Sequence, residues 1–339
     1  MQTWRFTFQP KSPFATPLLG DTLFGQLCWT IRHHAGEARL NELLGSYLSG
    51  QPFCVLSDAF PSGYLPRPHL PLFSIAPSED VDANKRKQWK SKKWLPLAEF
   101  YKPVTEWLEH CQSSDELYKH EMESDKLSKS EWQKEEGRMH NSINRLTGTT
   151  GEGGFAPYAV AQSRYHPNAL LDVYAVVDDT CFNPEELIEL LQRIGATGFG
   201  KDASTGLGHY IVVSAEPFTL TQQPQSTAWM VLAPCAPQQQ GFVPEKSYWQ
   251  PFTRYGRHGS LAAIGGQPFK NPVLLTQAGS VFTPAVFDFT HFIGQGFGGN
   301  GSLSKAIPAT VQQGYAPVMG LNLSDVHQWI AEVCSGENV

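Results

Sequence analysis

The sequence lacks several features that define whole classes of protein. It has no apolar run long enough to cross a bilayer, and its six cysteines include no C-x-x-C pair. Cysteines scattered in this way exclude a zinc ribbon or a disulfide framework and indicate a reducing compartment. The first residues alternate apolar and polar side chains and lack the apolar core of a signal peptide, so we expect a cytoplasmic protein without membrane contact.

Charge is also scarce. Charged residues make up 17% of the 339 residues, compared with about 25% in an average protein, and the formal net charge is −6. A nucleic-acid site would therefore have to be a local patch. The low charged fraction suggests that partners cover much of the surface, although the many glycines and prolines would have the same effect. No paired carboxylates or Asp/Glu/His cluster suggests a catalytic metal, and we expect no cofactor.

Glycine, by contrast, is abundant and is concentrated in the stretch 195–208. Lys201, Ser204 and Thr205 lie among the glycines. Glycine permits left-handed backbone conformations and close approach of another chain, and backbone N–H groups beside a lysine suit phosphate oxygens. A flexible connection between a helix and a strand, without a ligand, is the alternative. The glycines of this stretch are Gly195, Gly198, Gly200, Gly206 and Gly208.

Two familiar phosphate-binding motifs do not fit this stretch. Residues 195–201 match the start of a P-loop, but Asp202 follows where a magnesium-binding Ser or Thr is required. The order of elements is also reversed. Asn183 and Pro184 begin a predicted helix before the loop, and 209–216 predict a strand after it, whereas both motifs need a strand first. We therefore do not expect a mononucleotide site.

The remaining periodicities predict an α+β protein. In residues 1–220 the apolar patterns follow the order strand, helix, strand, a long insertion, then strand, helix, strand, which is the order of a ferredoxin-like split β-α-β unit. The insertion covers about 75–165. A polar linker near 220 opens a second, strand-rich domain, 221–339, whose topology the pattern does not define.

The insertion begins with a basic run. Lysines and one arginine between Lys85 and Lys93 are interleaved with Trp89. Basic groups beside aromatics suit a phosphate backbone with stacked bases, and a solvated lysine face is the alternative. The candidate contacts of this run are Lys90, Lys92 and Lys93.

The rest of the insertion divides into two parts. Residues 104–136 contain no glycine or proline and predict one or two exposed helices. Residues 141–155 are rich in glycine, contain Arg145 as their only cation, and predict a mobile hairpin or loop.

Several stretches together resemble the RAMP superfamily of CRISPR proteins. The hallmark of that superfamily is a glycine-rich loop after the second helix of a ferredoxin-like domain, and residues 198–208 match it closely. The other matching stretches are 16–29, 85–100, 143–148 and 268–282. Jointly they favour the Csm-four subunits of type III-A effector complexes or their type III-D relatives.

The resemblance implies two ferredoxin-like (RRM-like) RAMP domains and a non-catalytic role. Such subunits bind the 5′ tag of the crRNA, dock against the large polymerase-like subunit and a RAMP backbone subunit, meet target RNA only indirectly, and kink the RNA with a thumb-like insertion. Transferred by position, the RNA contacts are Gly198, Gly200, Lys201, Ser204, Thr205, Gly206 and Gly208, followed by Arg145 and Lys270. The thumb is expected at 141–155 or, alternatively, at the basic run.

Two other functions stay open. A pre-crRNA-processing endoribonuclease of the same superfamily often uses a histidine of the first domain, and His33 or His34 at the end of the first predicted helix fits that role. A helix-end role is the competing interpretation of this pair. Asp21 is interpreted as a helix cap and Asp202 as an isolated acid. A protein-only adaptor would also fit the low charge and the many Trp and Phe residues.

Overall fold

The computed structural model describes residues 1–76, 83–117, 131–151, 153–264 and 267–335. Helices and strands are both well represented, and the strands within each sheet pair in the antiparallel sense, so the structure is α+β as predicted. Within the described residues, no helix is long and apolar enough to span a membrane.

Up to residue 217 the chain mixes strands with helices. The strands are β1 (Gln2–Pro10), β2 (Cys54–Leu56), β3 (Phe60–Pro61), β4 (Tyr64–Pro66), β5 (Trp94–Pro96), β6 (Gln133–His140), β7 (Tyr158–Tyr165), β8 (Leu171–Val177) and β9 (Tyr210–Pro217). The helices are α1 (Gly20–Ala35), α2 (Glu37–Leu44), α3 (Leu72–Ile75), α4 (Ala83–Ser91), α5 (Trp107–His110) and α6 (Pro184–Thr197).

The elements after residue 217 are mostly short strands. They are β10 (Ala228–Val231), β11 (Pro251–Arg254), β12 (Val273–Thr276), β13 (Val281–Phe282), β14 (Phe292–Gly294), β15 (Phe297–Gly298), β16 (Val311–Gln312) and β17 (Tyr315–Leu321). Helix α7 (Ser324–Ser335) follows them.

The first sheet is built around β1. Its order is β2-β8-β1-β9, and β3 also pairs with β8. The register along β1 and β8 runs from Gln2 opposite Val177 to Phe8 opposite Leu171. The predicted alternation is confirmed, because Phe6 and Phe8 are completely buried on one face of the strand.

Helices α1 and α6 pack against each other, and α6 packs on β9. Both helices are amphipathic, as their sequence spacing predicts, and each buries an apolar stripe. The buried stripe of α1 is Leu23, Phe24, Leu27 and Ile31. That of α6 includes Leu187, Leu190, Leu191 and Ile194.

The interpretation of Asp21 as a helix cap is wrong. The residue before α1 is Leu19, in an extended conformation, and its side chain makes no capping hydrogen bond. The Gly20 N–H instead donates to the Asp58 carboxylate at 2.8 Å. Asp21 is buried and pairs with Arg254 from the other half of the chain. The Asp21 carboxylate, which local patterning assigned to the helix end, therefore pairs with a cation that is distant in the sequence.

The prediction of exposed helices across 104–136 is also wrong in part. Helix α5 is short and buries Trp107 completely, and the end of the stretch forms β6. Strand β6 pairs residue by residue with β7, from Gln133 opposite Tyr165 to His140 opposite Tyr158. Long-range strand pairing overrides local helix propensity here. Residues 118–130 lie outside the described part of the chain.

The second sheet has the order β13-β10-β17-β14. Numbered along the chain, this order is second, first, fourth, third, which differs from the order of the first sheet. Between β10 and β13 the chain forms the β11–β12 pair, and α7 is the α-helix that the structure describes after residue 217. A second ferredoxin-like domain is therefore not confirmed. The first and last strands of this sheet, β10 and β17, pair directly as its two central strands, from Ala228 opposite Leu321 to Val231 opposite Val318.

The two halves share one continuous hydrophobic core. The Tyr47 ring stacks on Phe24 at 4.7 Å and meets the Tyr315 ring edge-on at 5.3 Å. The Tyr315 hydroxyl donates to the Tyr47 carbonyl at 2.7 Å. A second glycine-rich stretch, 294–301, belongs to this junction, because a Cβ on Gly296 would lie 2.9 Å from the Tyr47 ring. The division of the chain into domains at 220 stays a prediction.

Candidate functional site

The glycine-rich loop between α6 and β9 is folded tightly on itself. The Asn183 side chain caps the start of α6, and the Gly198 N–H ends the helix by donating to the Ile194 carbonyl at 2.9 Å. Phe199, which follows, is buried, and its N–H donates to the Gly208 carbonyl at 2.9 Å. A Cβ on Gly208 would lie 2.1 Å from the Phe199 carbonyl oxygen, so only glycine permits this closure.

The loop is also docked on the segment that follows β1. The Thr16 hydroxyl accepts a hydrogen bond from the Lys201 N–H at 2.9 Å, and the Pro13 carbonyl accepts one from the Gly208 N–H at 2.8 Å. A Cβ on Gly200 would lie 2.6 Å from the Thr16 side chain. Sequence reasoning missed this role of Thr16, although the residue begins the matched stretch 16–29.

Most of the N–H groups of the loop already have acceptors inside the protein. Besides those just described, the N–H groups of Thr205 and Leu207 donate to the Asp202 carbonyl, and that of Gly206 donates to the Ala203 carbonyl. Asp202 has a left-handed backbone, with φ +59°. The backbone therefore maintains the shape of the loop, and a phosphate would have to meet mainly its side chains.

Four of the predicted contact residues are exposed on this loop. The Lys201 side chain is 59% exposed, and its ammonium lies 3.8 Å from an Asp202 carboxylate oxygen, a surface contact that contributes little stability. Ser204 and Thr205 are exposed, and the Thr205 hydroxyl donates to the Asp202 carbonyl at 2.8 Å. Gly206 is exposed with open space around its Cα. Lys201 and Ser204 are thus the outward-facing polar groups.

Phe14 connects the loop to the hairpin formed by β6 and β7. It exchanges two backbone hydrogen bonds with Ser163 of β7, at 2.8 and 2.9 Å. Its ring lies 5.8 Å from that of Tyr165 and 6.4 Å from that of Phe199. The base of the hairpin is therefore fixed beside the glycine loop. Sequence reasoning gave no role to Phe14.

The stretch 141–155 was predicted to be a mobile hairpin or loop, and its described residues lie at the tip of the hairpin that β6 and β7 form. Arg145 lies in the tip and is exposed. Several apolar side chains of the hairpin are open to solvent, and the most exposed is Leu146, at 96%. Nearer the base, Arg164 pairs with Glu136 at 2.8 Å and holds the pKa of that carboxyl below its usual value. The other exposed apolar side chains are Met139, Ile143, Phe155 and Tyr158.

Lys270 lies in a different environment from Lys201. Its N–H donates to the Gly256 carbonyl at 2.8 Å, and the groups that act on its ammonium are Cys28 and Asp21 of α1. Burial lowers the pKa of Lys270, while Cys28 and Asp21 act in the opposite direction. The Lys270 ammonium is thus largely buried where the second half of the chain meets α1.

The basic run forms α4 and the residues after it. Lys90 and Lys93 are exposed, and the Lys85 ammonium lies 5.6 Å from the centre of the Trp89 ring. Lys92 has a structural partner, because its ammonium donates to the Leu108 carbonyl at 3.1 Å, at the end of α5. A lysine at that position satisfies helix carbonyls that otherwise lack partners.

The two histidines lie at the C-terminal end of α1, where the helix-end interpretation places them. Both side chains are exposed. His34 lies 3.7 Å from the Glu189 carboxylate on α6, and the His33 ring lies 5.8 Å from that of Trp29. Among the described residues, no group of three potential metal-binding side chains occurs.

No family model and no curated protein matches the sequence. Solved structures match it in fold. A chain of the Csm3–Csm4 subcomplex of the type III-A CRISPR-Cas interference complex is 14% identical, with a TM-score of 0.57, over 95% of this chain and 100% of that one. A chain of a Csm1–Csm4 cassette in complex with pppApA is 16% identical, with a TM-score of 0.55, over 95% and 98%.

A Csm1–Csm4 cassette in complex with cA4 gives a similar result, with 15% identity and a TM-score of 0.55 over 94% of this chain and 98% of that chain. At such low identity the likeness concerns the fold, and it extends over nearly the whole chain. Csm4 is the component that these complexes have in common. The predicted resemblance to the Csm-four subunits is therefore confirmed at the level of the fold.

Proposed function

We propose that this chain is a non-catalytic subunit of a type III CRISPR interference complex that holds the 5′ tag of the crRNA. Its partners are the crRNA, the large polymerase-like subunit and a RAMP backbone subunit, and it acts in the cytoplasm. The fold supports the proposal, since similar chains occur in assemblies of Csm4 with Csm1 and with Csm3. Contact with target RNA is indirect.

The topology of the first sheet supports a ferredoxin-like RAMP domain in residues 1–220. Taken along the chain, β1, β2, β8 and β9 are its first, second, third and fourth strands, and their order in the sheet is second, third, first, fourth. Helices α1 and α6 follow the first and third of them. This is the β-α-β-β-α-β arrangement. The second sheet has another order, and the proposal does not depend on it.

The observation that carries the proposal is the convergence of two features beside Phe14. One is the glycine loop, whose shape is fixed from inside and which presents Lys201 and Ser204 outward. The other is the hairpin formed by β6 and β7 with the tip between them, which we call the hairpin arm. It begins next to the loop and carries Arg145 at its tip. A rigid loop with an exposed ammonium suits a phosphate, since little side-chain and backbone ordering is needed on binding.

The hairpin arm suits the bases of the same strand. Single-stranded RNA is recognised by stacking and by base edges once its bases are splayed apart. The tip presents Ile143, Arg145 and Leu146 to solvent, and Tyr158 at the start of β7 is also exposed. Apolar and aromatic groups of this kind separate bases, and the arginine adds a phosphate contact.

A non-catalytic role is supported by the position of the two histidines. Both lie at the end of α1, and His34 lies beside Glu189 of α6, on different elements from the exposed Lys201 of the glycine loop. A general acid or base has to reach the 2′-hydroxyl group that reacts. An endoribonuclease is the alternative, and cleavage of a repeat RNA by the purified chain would establish it.

The direct experiment is a pull-down of the epitope-tagged chain from its own host, followed by sequencing of the bound RNA and identification of the co-purifying proteins. We expect RNAs that share one repeat-derived 5′ end, together with a polymerase-like subunit and a RAMP backbone subunit. Recovery of those proteins without RNA would favour the protein-only adaptor. Recovery of RNAs with unrelated 5′ ends would contradict tag binding.

A further inference from the structure

A short ladder in the second half of the chain carries an exposed aromatic face. Arg257 and Phe269 form an antiparallel bridge, and the Lys270 N–H donates to the Gly256 carbonyl at 2.8 Å, which fixes the register. Side chains opposite each other, or two positions apart in a strand, lie on the same face. Tyr255, Arg257 and Phe269 therefore share one face, which we call the ladder face.

The aromatic rings of the ladder face are open to solvent. Tyr255 is 77% exposed and Phe269 is 70% exposed. The Arg257 guanidinium lies 5.7 Å from the centre of the Phe269 ring, at the distance of a cation–π contact. Large aromatic side chains exposed to this degree lose the free energy that burial would provide, and their presence on one face calls for a partner.

The ladder itself is firmly held. On its opposite face His258 is buried and lies 2.7 Å from the Ser304 hydroxyl. A Cβ on Gly259 would lie 3.2 Å from the Trp29 ring, so the ladder sits directly on α1. The rings are thus presented from a fixed backbone, and binding to them would order few additional groups.

The charge of this region favours an anionic partner. No Asp or Glu occurs between Glu245 and Asp288, although the whole protein carries a formal net charge of −6. The Arg257 guanidinium donates to the Ala263 carbonyl at 3.1 Å and lies over the Phe269 ring. Neither contact neutralises the guanidinium, so its charge is available to a ligand.

We propose that the ladder face is a second RNA-binding surface, on which Tyr255 and Phe269 stack with unpaired bases while Arg257 contacts the backbone phosphates. Exposed rings beside a cation are the combination that binds single strands without regard to sequence, because every base has a stacking face. The lack of acidic residues between Glu245 and Asp288 in the sequence favours a polyanion over the surface of a protein. The inference rests on the proposed function for the class of ligand, but it involves neither Lys201 nor the tag.

The test uses the full chain and a fluorescein-labelled oligouridine of about twelve nucleotides, a probe that lacks the tag. Tyr255→Ala and Phe269→Ala should each raise the Kd about tenfold. Tyr255→Phe and Phe269→Tyr keep a ring and should bind normally. Val286→Ala is the matched control, since Val286 is 82% exposed and lies outside the ladder face. Unchanged affinity of both alanine variants would overturn the proposal.

Arg257 and duplex RNA provide the second readout. Arg257→Gln should reduce the slope of log Kd against log salt concentration by about one, because one phosphate contact is lost. Duplex RNA of the same length should compete poorly, since its bases are not available for stacking. Equal competition by the duplex would show that the ladder face does not read unpaired bases, and would overturn the proposal.

The glycine loop and the ladder face can be tested independently of each other by RNA-binding measurements. If Lys201→Ala weakens binding of tagged RNA while the Tyr255 and Phe269 variants bind oligouridine normally, the ladder face is wrong and the proposed function stands. If Lys201→Ala binds tagged RNA normally while the Tyr255 and Phe269 variants bind oligouridine weakly, the RNA-binding role of the glycine loop is wrong and that of the ladder face stands. If the aromatic variants lose only a co-purifying protein subunit, the face is a protein interface and the proposal is overturned.

Discussion

The Arg254 guanidinium donates two hydrogen bonds to the Asp21 carboxylate, at 2.7 and 2.9 Å. Asp21 lies in the first turn of α1, in the first half of the chain, and its side chain is only 1% exposed. Arg254 ends β11 in the second half, and Gln312 approaches the same carboxylate at 3.4 Å. This buried pair joins the two halves of the chain at the start of α1. Thr16, which accepts a hydrogen bond from the glycine loop, lies a few residues before Asp21 in the sequence.

Removing one member of the pair should destabilise the whole chain. Arg254→Ala should lower the free energy of unfolding by about 3–5 kcal/mol, because it leaves the Asp21 carboxylate buried without its cation. Urea denaturation followed by circular dichroism measures the loss. The double variant Asp21→Asn/Arg254→Ala should recover part of it, since no charge is then left uncompensated. A double variant as unstable as the sum of the two single variants would show that the residues do not interact.

Two glycines of the loop should differ sharply in their tolerance of alanine. Both have a left-handed backbone, with φ +75° at Gly208 and +91° at Gly206. Gly206→Ala should cost only about 1–2 kcal/mol, the backbone penalty, because nothing lies near the added Cβ. Gly208→Ala should cost roughly 3–5 kcal/mol, because its Cβ also collides with the Phe199 carbonyl. Denaturant midpoints give both values, and equal losses would contradict the loop geometry.

Lys201 should contribute to binding and not to folding. Lys201→Ala should weaken binding of a tagged crRNA by roughly 1–3 kcal/mol, the range of a charged hydrogen bond, and leave the unfolding midpoint unchanged. Lys246→Ala is the matched control, since Lys246 is an exposed lysine in the second half. Fluorescence anisotropy with RNA that carries or lacks the tag measures the effect. A loss that is equal for both RNAs would argue against tag recognition by the loop.

The two histidines should not be needed for RNA binding. We expect the purified chain to leave a repeat RNA intact, and we expect the double variant His33→Ala/His34→Ala to bind crRNA as the unmodified chain does. Gel analysis of a labelled repeat RNA, with and without a chelator, tests the first expectation. If cleavage occurs and disappears in the variant, the chain is a nuclease and the non-catalytic proposal is wrong.

The chain should lose stability when acidified below neutral pH. Burial and the neighbouring Lys270 hold the pKa of His258 below its usual value. In the unfolded chain His258 binds a proton near pH 6.5, whereas in the folded chain it does so only at lower pH. The contribution of His258 to stability is therefore complete above about pH 7 and is lost as the pH decreases through that value. His258→Gln should make the decrease between about pH 7 and pH 5 shallower. An unchanged slope would show that other groups determine it.

Local patterning predicted the first sheet well. The alternating first strand and the capped helix before the glycine loop lie where the sequence indicates them, and β8 is the strand expected after the insertion. Those elements have strong internal periodicity, and their burial follows from it directly. The same reasoning failed at β6, where residues with helix-favouring composition pair with a strand that begins eighteen residues after His140 in the chain.

The sequence predicted which residues form the candidate site, but it did not predict the contacts that hold them in place. The sequence indicated the glycine loop, Lys201 and the hairpin tip with Arg145. It did not indicate that Thr16 and Pro13 would accept hydrogen bonds from the N–H groups of Lys201 and Gly208, because those contacts span almost the whole first half of the chain. Tyr255 and Phe269 were missed for the same reason, since their common face exists only once Arg257 pairs across the ladder.

The sequence alone therefore determined which segments become strands and helices and where the glycine loop lies, because hydrophobic period and capping residues act over a few neighbouring positions. Only the tertiary structure decided which polar groups stay available. Contacts between separate segments engage the side chains of Asp21 and Lys92 and the N–H groups of Lys201 and Gly208, and bonds within the loop engage several of its other N–H groups. The side chains of Lys201 and Arg257 are left facing solvent. A buried polar group must find a partner, and only the folded chain determines which partner is near.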